Sequence, residues 1–115
     1  MRPVRLTTTL DRAIVYDQKE DVKEATLEFE WRPRSERDVF RVQYTEPGTP
    51  WACGWHQDTI HEDLGPSYFQ VDHKAWSAPH REPASFSDPN PMAIIETGLS
   101  ELRERVPALP ESVAP

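Results

Sequence analysis

At 115 residues the chain has room for one hydrophobic core and not for two. Its 20 acidic and 13 basic residues give a net charge of −7, which opposes nonspecific binding to a polyanion but leaves room for a local basic cleft. No apolar run approaches the ~20 residues of a membrane span, and Cys53, the only cysteine, excludes an intramolecular disulfide and any zinc site needing two thiolates.

The N-terminal stretch Met1 to Leu10 interleaves Arg and Thr with isolated apolar residues, unlike a signal peptide, so a cytoplasmic location is expected. Val4, Leu6, Thr8 and Leu10 alternate as in a strand, and the charged run Asp17 to Glu24 reads as loop or helix. Leu27, Phe29 and Trp31 then alternate with Glu28, Glu30 and Arg32, and Phe40, Val42 and Tyr44 with Arg41, Gln43 and Thr45. With the polar stretch Pro33 to Asp38 between them, the two segments predict an antiparallel strand pair.

Glu46-Pro47-Gly48-Thr49-Pro50 is a turn signal, because Pro fixes φ and Gly accepts positive φ. It leads into Trp51 to His56, with Trp51, Cys53 and Trp55 on one face and Ala52, Gly54 and His56 on the other. Leu64-Gly65-Pro66 turns the chain into a strand from Tyr68 to His73, and a fifth short strand is expected near Glu82 to Phe86. A helix is predicted from Pro91 to Val106, with Asn90 as N-cap, Pro91 at N1, and Met92, Ile95, Leu99, Leu102 and Val106 facing the core. Gly98 inside it points to close approach of helix and sheet. The expected fold is α+β: an antiparallel meander packed by one C-terminal helix, forming a single domain over 1–106, with 107–115 a disordered Pro/Ala-rich tail.

All basic residues except Lys19, Lys23 and Lys74 are Arg. An acidic, Lys-poor surface stays hydrated in concentrated salt, where the Debye length shrinks to about 3 Å at 1 M, so a halophilic, archaeal setting is expected.

The chemistry-bearing stretch is Gly54 to Gly65, which gathers His56, Asp58, His61, Glu62 and Asp63 between two strands. One reading makes His56 and His61 an acid–base pair oriented by Asp58, suited to in-line attack of a ribose 2′-hydroxyl on phosphate without a metal. A second joins His56 and His61 to Asp58 or Glu62 as metal ligands, with His73 or His80 folding in. A third makes the stretch a hydrogen-bonded loop, with His56 packed on Trp55.

Cys53, between two tryptophans, reads as a buried thiol more than a nucleophile. Trp51, Trp55 and Trp76 read as core more than as base-stacking platforms. Arg32, Arg34 and Arg37 form the only local basic cluster, read as a solvated hairpin tip more than a phosphate groove.

The run Gly54-Trp55-His56-Gln57-Asp58 with His61, then Leu64-Gly65-Pro66 and Phe69-Gln70-Val71-Asp72, resembles a family of small haloarchaeal proteins without assigned activity, over roughly Val39 to Leu102. The order of antiparallel strands, a His- and Asp-bearing loop, further strands and a C-terminal helix is similar, more remotely, to TumE-type toxins of toxin–antitoxin pairs. Those toxins carry paired histidines around Pro-His motifs; here His56 is single, and only Pro79-His80 is similar to such a motif. This second resemblance implies a helix-turn-helix antitoxin as protein partner and His56, Asp58, His61 and His80 as the positions to suspect. The expected function is toxin-like action on RNA or on another cellular macromolecule, with no cofactor. The alternative is a non-enzymatic protein–protein interaction module whose sheet face binds another protein.

Overall fold

The computed structural model describes residues 4–11, 24–34, 38–87 and 90–115. The charged run before Glu24, Arg37 and the Glu62 side chain lie outside the described residues.

Among the described residues six strands form one antiparallel sheet in chain order: β1 (Val4–Asp11), β2 (Glu24–Arg32), β3 (Val39–Thr45), β4 (Trp51–Gln57), β5 (Ser67–His73) and β6 (His80–Ala84). A helix, α1 (Pro91–Arg105), follows. The α+β meander with one C-terminal helix is thus the architecture, and the β1–β2 pair confirms the N-terminal alternation as a strand.

Because side chains alternate across a pleated sheet, the register sorts residues into two faces. On the core face Phe29 pairs with Val42, Val42 with Trp55 and Trp55 with Phe69; a parallel row joins Leu27, Tyr44, Cys53 and Val71. All eight are buried. On the opposite face one row runs through all six strands: Arg5, Glu30, Arg41, His56, Tyr68 and Pro83. That row carries the chemistry.

The turn after β3 has its Thr49 amide donating to the Glu46 carbonyl at 3.2 Å, with Gly48 at φ 80°. Pro at the second and Gly at the third turn position is the type II pattern, and it fixes the β3–β4 register. The sixth strand begins at His80, two residues before the expected start, and Phe86 leaves the ladder to pack edge-on against Phe40 at 5.3 Å.

Helix α1 begins as the sequence implies: Asn90 Oδ1 accepts from the Met92 amide at 2.9 Å, with Pro91 in the first turn. Its buried face is Ile94, Gly98 and Leu102, an i, i+4, i+8 stripe, with Ile95 and Leu99 only partly buried at its margin. Met92, expected in the core, is 62% exposed. The helix is rotated relative to the expected stripe, with Gly98 set over the Trp55 ring and Val42 Cγ1.

The tail expected to be disordered is packed. Two 3-10 turns, Val106–Ala108 and Glu111–Val113, fold it back, and Leu109 is buried in the core with Val113 packed against it. Pro and Ala dominate the segment, but these two apolar residues reach the core. Among the described residues no helix is long and apolar enough to cross a membrane.

Candidate functional site

His56 leaves β4 on the face away from the helix, and its cross-strand partner is Tyr68. The two rings stack with 5.1 Å between centroids and 2° between planes. His61, from the loop after β4, meets the same phenol ring edge-on at 5.1 Å. The Tyr68 hydroxyl donates to Asp58 Oδ2 at 2.9 Å, while the Ile60 amide donates to Asp58 Oδ1 at 3.0 Å. His56, Asp58 and His61 therefore gather round one residue, Tyr68.

Asp58 does not bond either imidazole; both of its oxygens are taken. Among the described residues the ring nitrogens of His56 and His61 make no hydrogen bond, which leaves them available to a ligand. Burial lowers the pKa of His56 below that of a free imidazole, with Arg41 and Arg81 adding to the effect and Asp58 and Asp72 opposing it. A neutral, base-competent imidazole at pH 7 results. Burial, the bond to Asp58 and the Asp58 charge push Tyr68 up to about 12, so its hydroxyl stays a donor.

Beside this cluster lies an open cleft of about 380 Å³, lined by Arg32, Arg34 and Arg41 together with Glu30, His56 and Asp58. Arg41 is held by carboxylates: its Nη2 contacts Glu28 Oε1 and donates to Glu30 Oε1 at 3.1 Å. Arg5 bridges the same two carboxylates from β1, at 3.0 and 3.4 Å. The bond from Arg5 leads in holding Glu28 below the usual carboxylate range. The Arg32 and Arg34 guanidinia, by contrast, pair with no carboxylate among the described residues. Arg32 and Arg34, exposed as a solvated basic cluster would be, also line the cleft, and Arg37 lies outside the described residues.

Gln57, on the core face at the end of β4, links β5 to the residue that precedes β3. Its Nε2 donates to the Asp38 carbonyl at 2.7 Å and its Oε1 accepts from Ser67 at 3.0 Å.

The other sequence candidates lie elsewhere. His73, at the far end of β5, stacks on Trp76 and accepts the Ala75 amide at Nδ1. His80 is on the core face, bonded to Glu82 at 2.8 Å, and Glu82 also holds Arg105 of α1 at 2.5 Å. Neither histidine folds in toward His56, and among the described residues no group of three His, Cys, Asp or Glu is placed to hold a metal. Cys53 is 2% exposed, and burial pushes its thiol well above the usual cysteine range, so it is not a nucleophile. Trp51 and Trp55 are core residues.

Tyr68 is the residue that sequence reasoning missed. In a strand alternation a tyrosine reads as pleat, and only the cross-strand pairing with His56 brings it to the centre. No known protein family, curated protein or solved structure matches the chain.

Proposed function

We propose that the His56–Asp58–His61 cluster is a metal-independent acid–base site that cleaves RNA. What carries the reading is that His56 and His61 both pack on Tyr68 with no ring-nitrogen hydrogen bond among the described residues, and that His56 lines a cleft whose Arg32 and Arg34 have no carboxylate partner among the described residues. The guanidinia suit the bridging phosphates of one strand. A cleft of about 380 Å³ accepts a nucleotide unit, not a duplex.

In the reaction, neutral His56 takes the proton of a ribose 2′-hydroxyl as the 2′-oxygen attacks phosphorus. The bond from phosphorus to the 5′-oxygen breaks, and His61, as general acid, gives a proton to that leaving oxygen. The products are a 2′,3′-cyclic phosphate and a free 5′-hydroxyl. Arg41, fixed by Glu28 and Glu30, stabilises the extra charge on the pentacoordinate phosphorus.

In the cell the protein acts as a toxin-like factor of a halophilic archaeal cytoplasm, and a helix-turn-helix antitoxin neutralises it by covering the cleft. A second reading, a non-enzymatic interaction module, is favoured by Ile60, 75% exposed at the tip of the site loop and suited to a protein contact.

The test is incubation with a labelled single-stranded RNA and its all-deoxy counterpart, in EDTA and in molar KCl. Cleavage of the RNA alone, with a cyclic phosphate end identified by mass spectrometry, supports the enzyme. No cleavage, or equal cleavage of both strands, overturns it in favour of the interaction module.

A further inference from the structure

Asp58 stands where an orienting carboxylate would be expected to hold an imidazole, yet both of its oxygens are engaged by other donors: the Tyr68 hydroxyl on one, the Ile60 amide on the other. The Tyr68 ring meanwhile lies flat on His56 and meets His61 edge-on. One side chain thus touches all three candidate catalytic residues. Tyr68 is itself fixed in mid-sheet, buried and paired with His56 on one side and Pro83 on the other.

We propose that Tyr68 is the positioning residue of this site: its hydroxyl holds the Asp58 carboxylate away from the imidazoles, and its ring sets the planes of His56 and His61. The consequence for turnover rests on the acid–base reading above; the positioning itself does not.

The physical effect follows from where the carboxylate goes when released. A carboxylate that swings into contact with an imidazole favours the protonated ring. It would also occupy the ring nitrogen that has to accept a substrate proton. Held by Tyr68, Asp58 acts on His56 only through space, and burial keeps the ring neutral. The groups that act on His56 are Arg41 from β3, Asp58 at the end of its own strand, Tyr68 and Asp72 from β5 and Arg81 from β6. Among these, Asp58 is the one whose carboxylate is tied to Tyr68, so the hydroxyl can be tested through it alone.

The experiment is NMR titration of the His56 and His61 rings, without RNA, in four proteins: the native chain, Tyr68→Phe, Asp58→Asn and the double variant. Tyr68→Phe keeps the ring and removes the hydroxyl. The titration of His56 is expected to move upward by about one pH unit. In the Asp58→Asn background the same change should have no effect, because the carboxylate it would release is gone. An unmoved titration in Tyr68→Phe, or an equal movement in both backgrounds, overturns the proposal.

Should Tyr68→Phe fail to fold, Asp58→Asn reads the same contact from the other side. The Tyr68 phenol should then titrate below its native value of about 12, and an unmoved phenol overturns the proposal. Since no RNA is present, failure of the cleavage reaction and failure of the positioning role give different results. If RNA is cleaved, the acid limb of the kcat/KM profile should shift upward with His56 in Tyr68→Phe.

Discussion

Gly54 and Gly98 look alike in sequence, but replacing them with alanine should have opposite effects. A Cβ built on Gly54 would lie 2.1 Å from the Val42 carbonyl oxygen, 3.0 Å from the Gln43 Cα and 3.1 Å from the Val42 carbonyl carbon, all backbone of the neighbouring strand. To reach ordinary contact, β3 and β4 must part by roughly 1 Å or more, since relaxed non-bonded carbon contacts begin near about 3.5 Å. Overpacking of this kind costs about 1–3 kcal/mol. Weakening a ladder bond at the Gln43 and Gly54 pair adds about 1 kcal/mol. A loss of about 3 kcal/mol is a large part of the ~5–15 kcal/mol that holds a domain together. At Gly98 the added Cβ would meet Trp55 Cζ3 at 3.7 Å and Val42 Cγ1 at 3.8 Å, ordinary contact distances. Gly98→Ala should therefore gain up to about 1 kcal/mol of helix propensity. Urea unfolding followed by tryptophan fluorescence reads both: the midpoint should fall sharply for Gly54→Ala and rise for Gly98→Ala, with m unchanged. A similar loss at both positions, or no loss at Gly54, refutes the reasoning.

Glu82 joins His80 to Arg105 and so ties β6 to the end of α1. The Arg105 bond leads in holding its carboxyl below the usual range, so its contribution is present above the ordinary glutamate pKa and lost as pH falls through the folded value. Glu82→Gln should cost about 0.5–1 kcal/mol at pH 7, the range of a partly solvated pair, and nothing in strong acid; a difference independent of pH would contradict this. With a charge of −7 and few lysines, the fold should also depend on salt. Lowering KCl from molar to about 0.1 M lengthens the Debye length to about 10 Å, so repulsion grows and the urea midpoint should drop, whereas an unchanged midpoint would count against halophilic adaptation.

The sheet was legible because its strands are half-buried: Leu27, Phe29 and Trp31 alternate with charged residues, and the Pro47-Gly48 turn sets the pairing that follows. Helix α1 was legible in extent through Asn90 and Pro91. Its rotation was not, because both Met92-Ile95-Leu99 and Ile94-Gly98-Leu102 make helical stripes, and the choice depends on where Trp55 sits. The packing of the tail is hidden for a related reason: composition reports what most residues are, while Leu109 and Val113 decide whether the segment packs. The loop bearing His56, Asp58 and His61 stood out by residue type. That Arg32 and Arg34 wall the adjoining cleft, and that Tyr68 lies between the histidines, depend on cross-strand register, which no local pattern encodes.

The most direct measurement of the central claim pairs activity with stability in His56→Ala and His61→Ala. Single-turnover cleavage of single-stranded RNA should fall by about 10²–10⁴-fold in each, the usual loss on removing a general acid or base. Stability should fall by no more than the ~0.5–1.5 kcal/mol of one aromatic contact with Tyr68. Full cleavage by either variant, or unfolding of either, would contradict an acid–base role and leave the two histidines as parts of a structural loop.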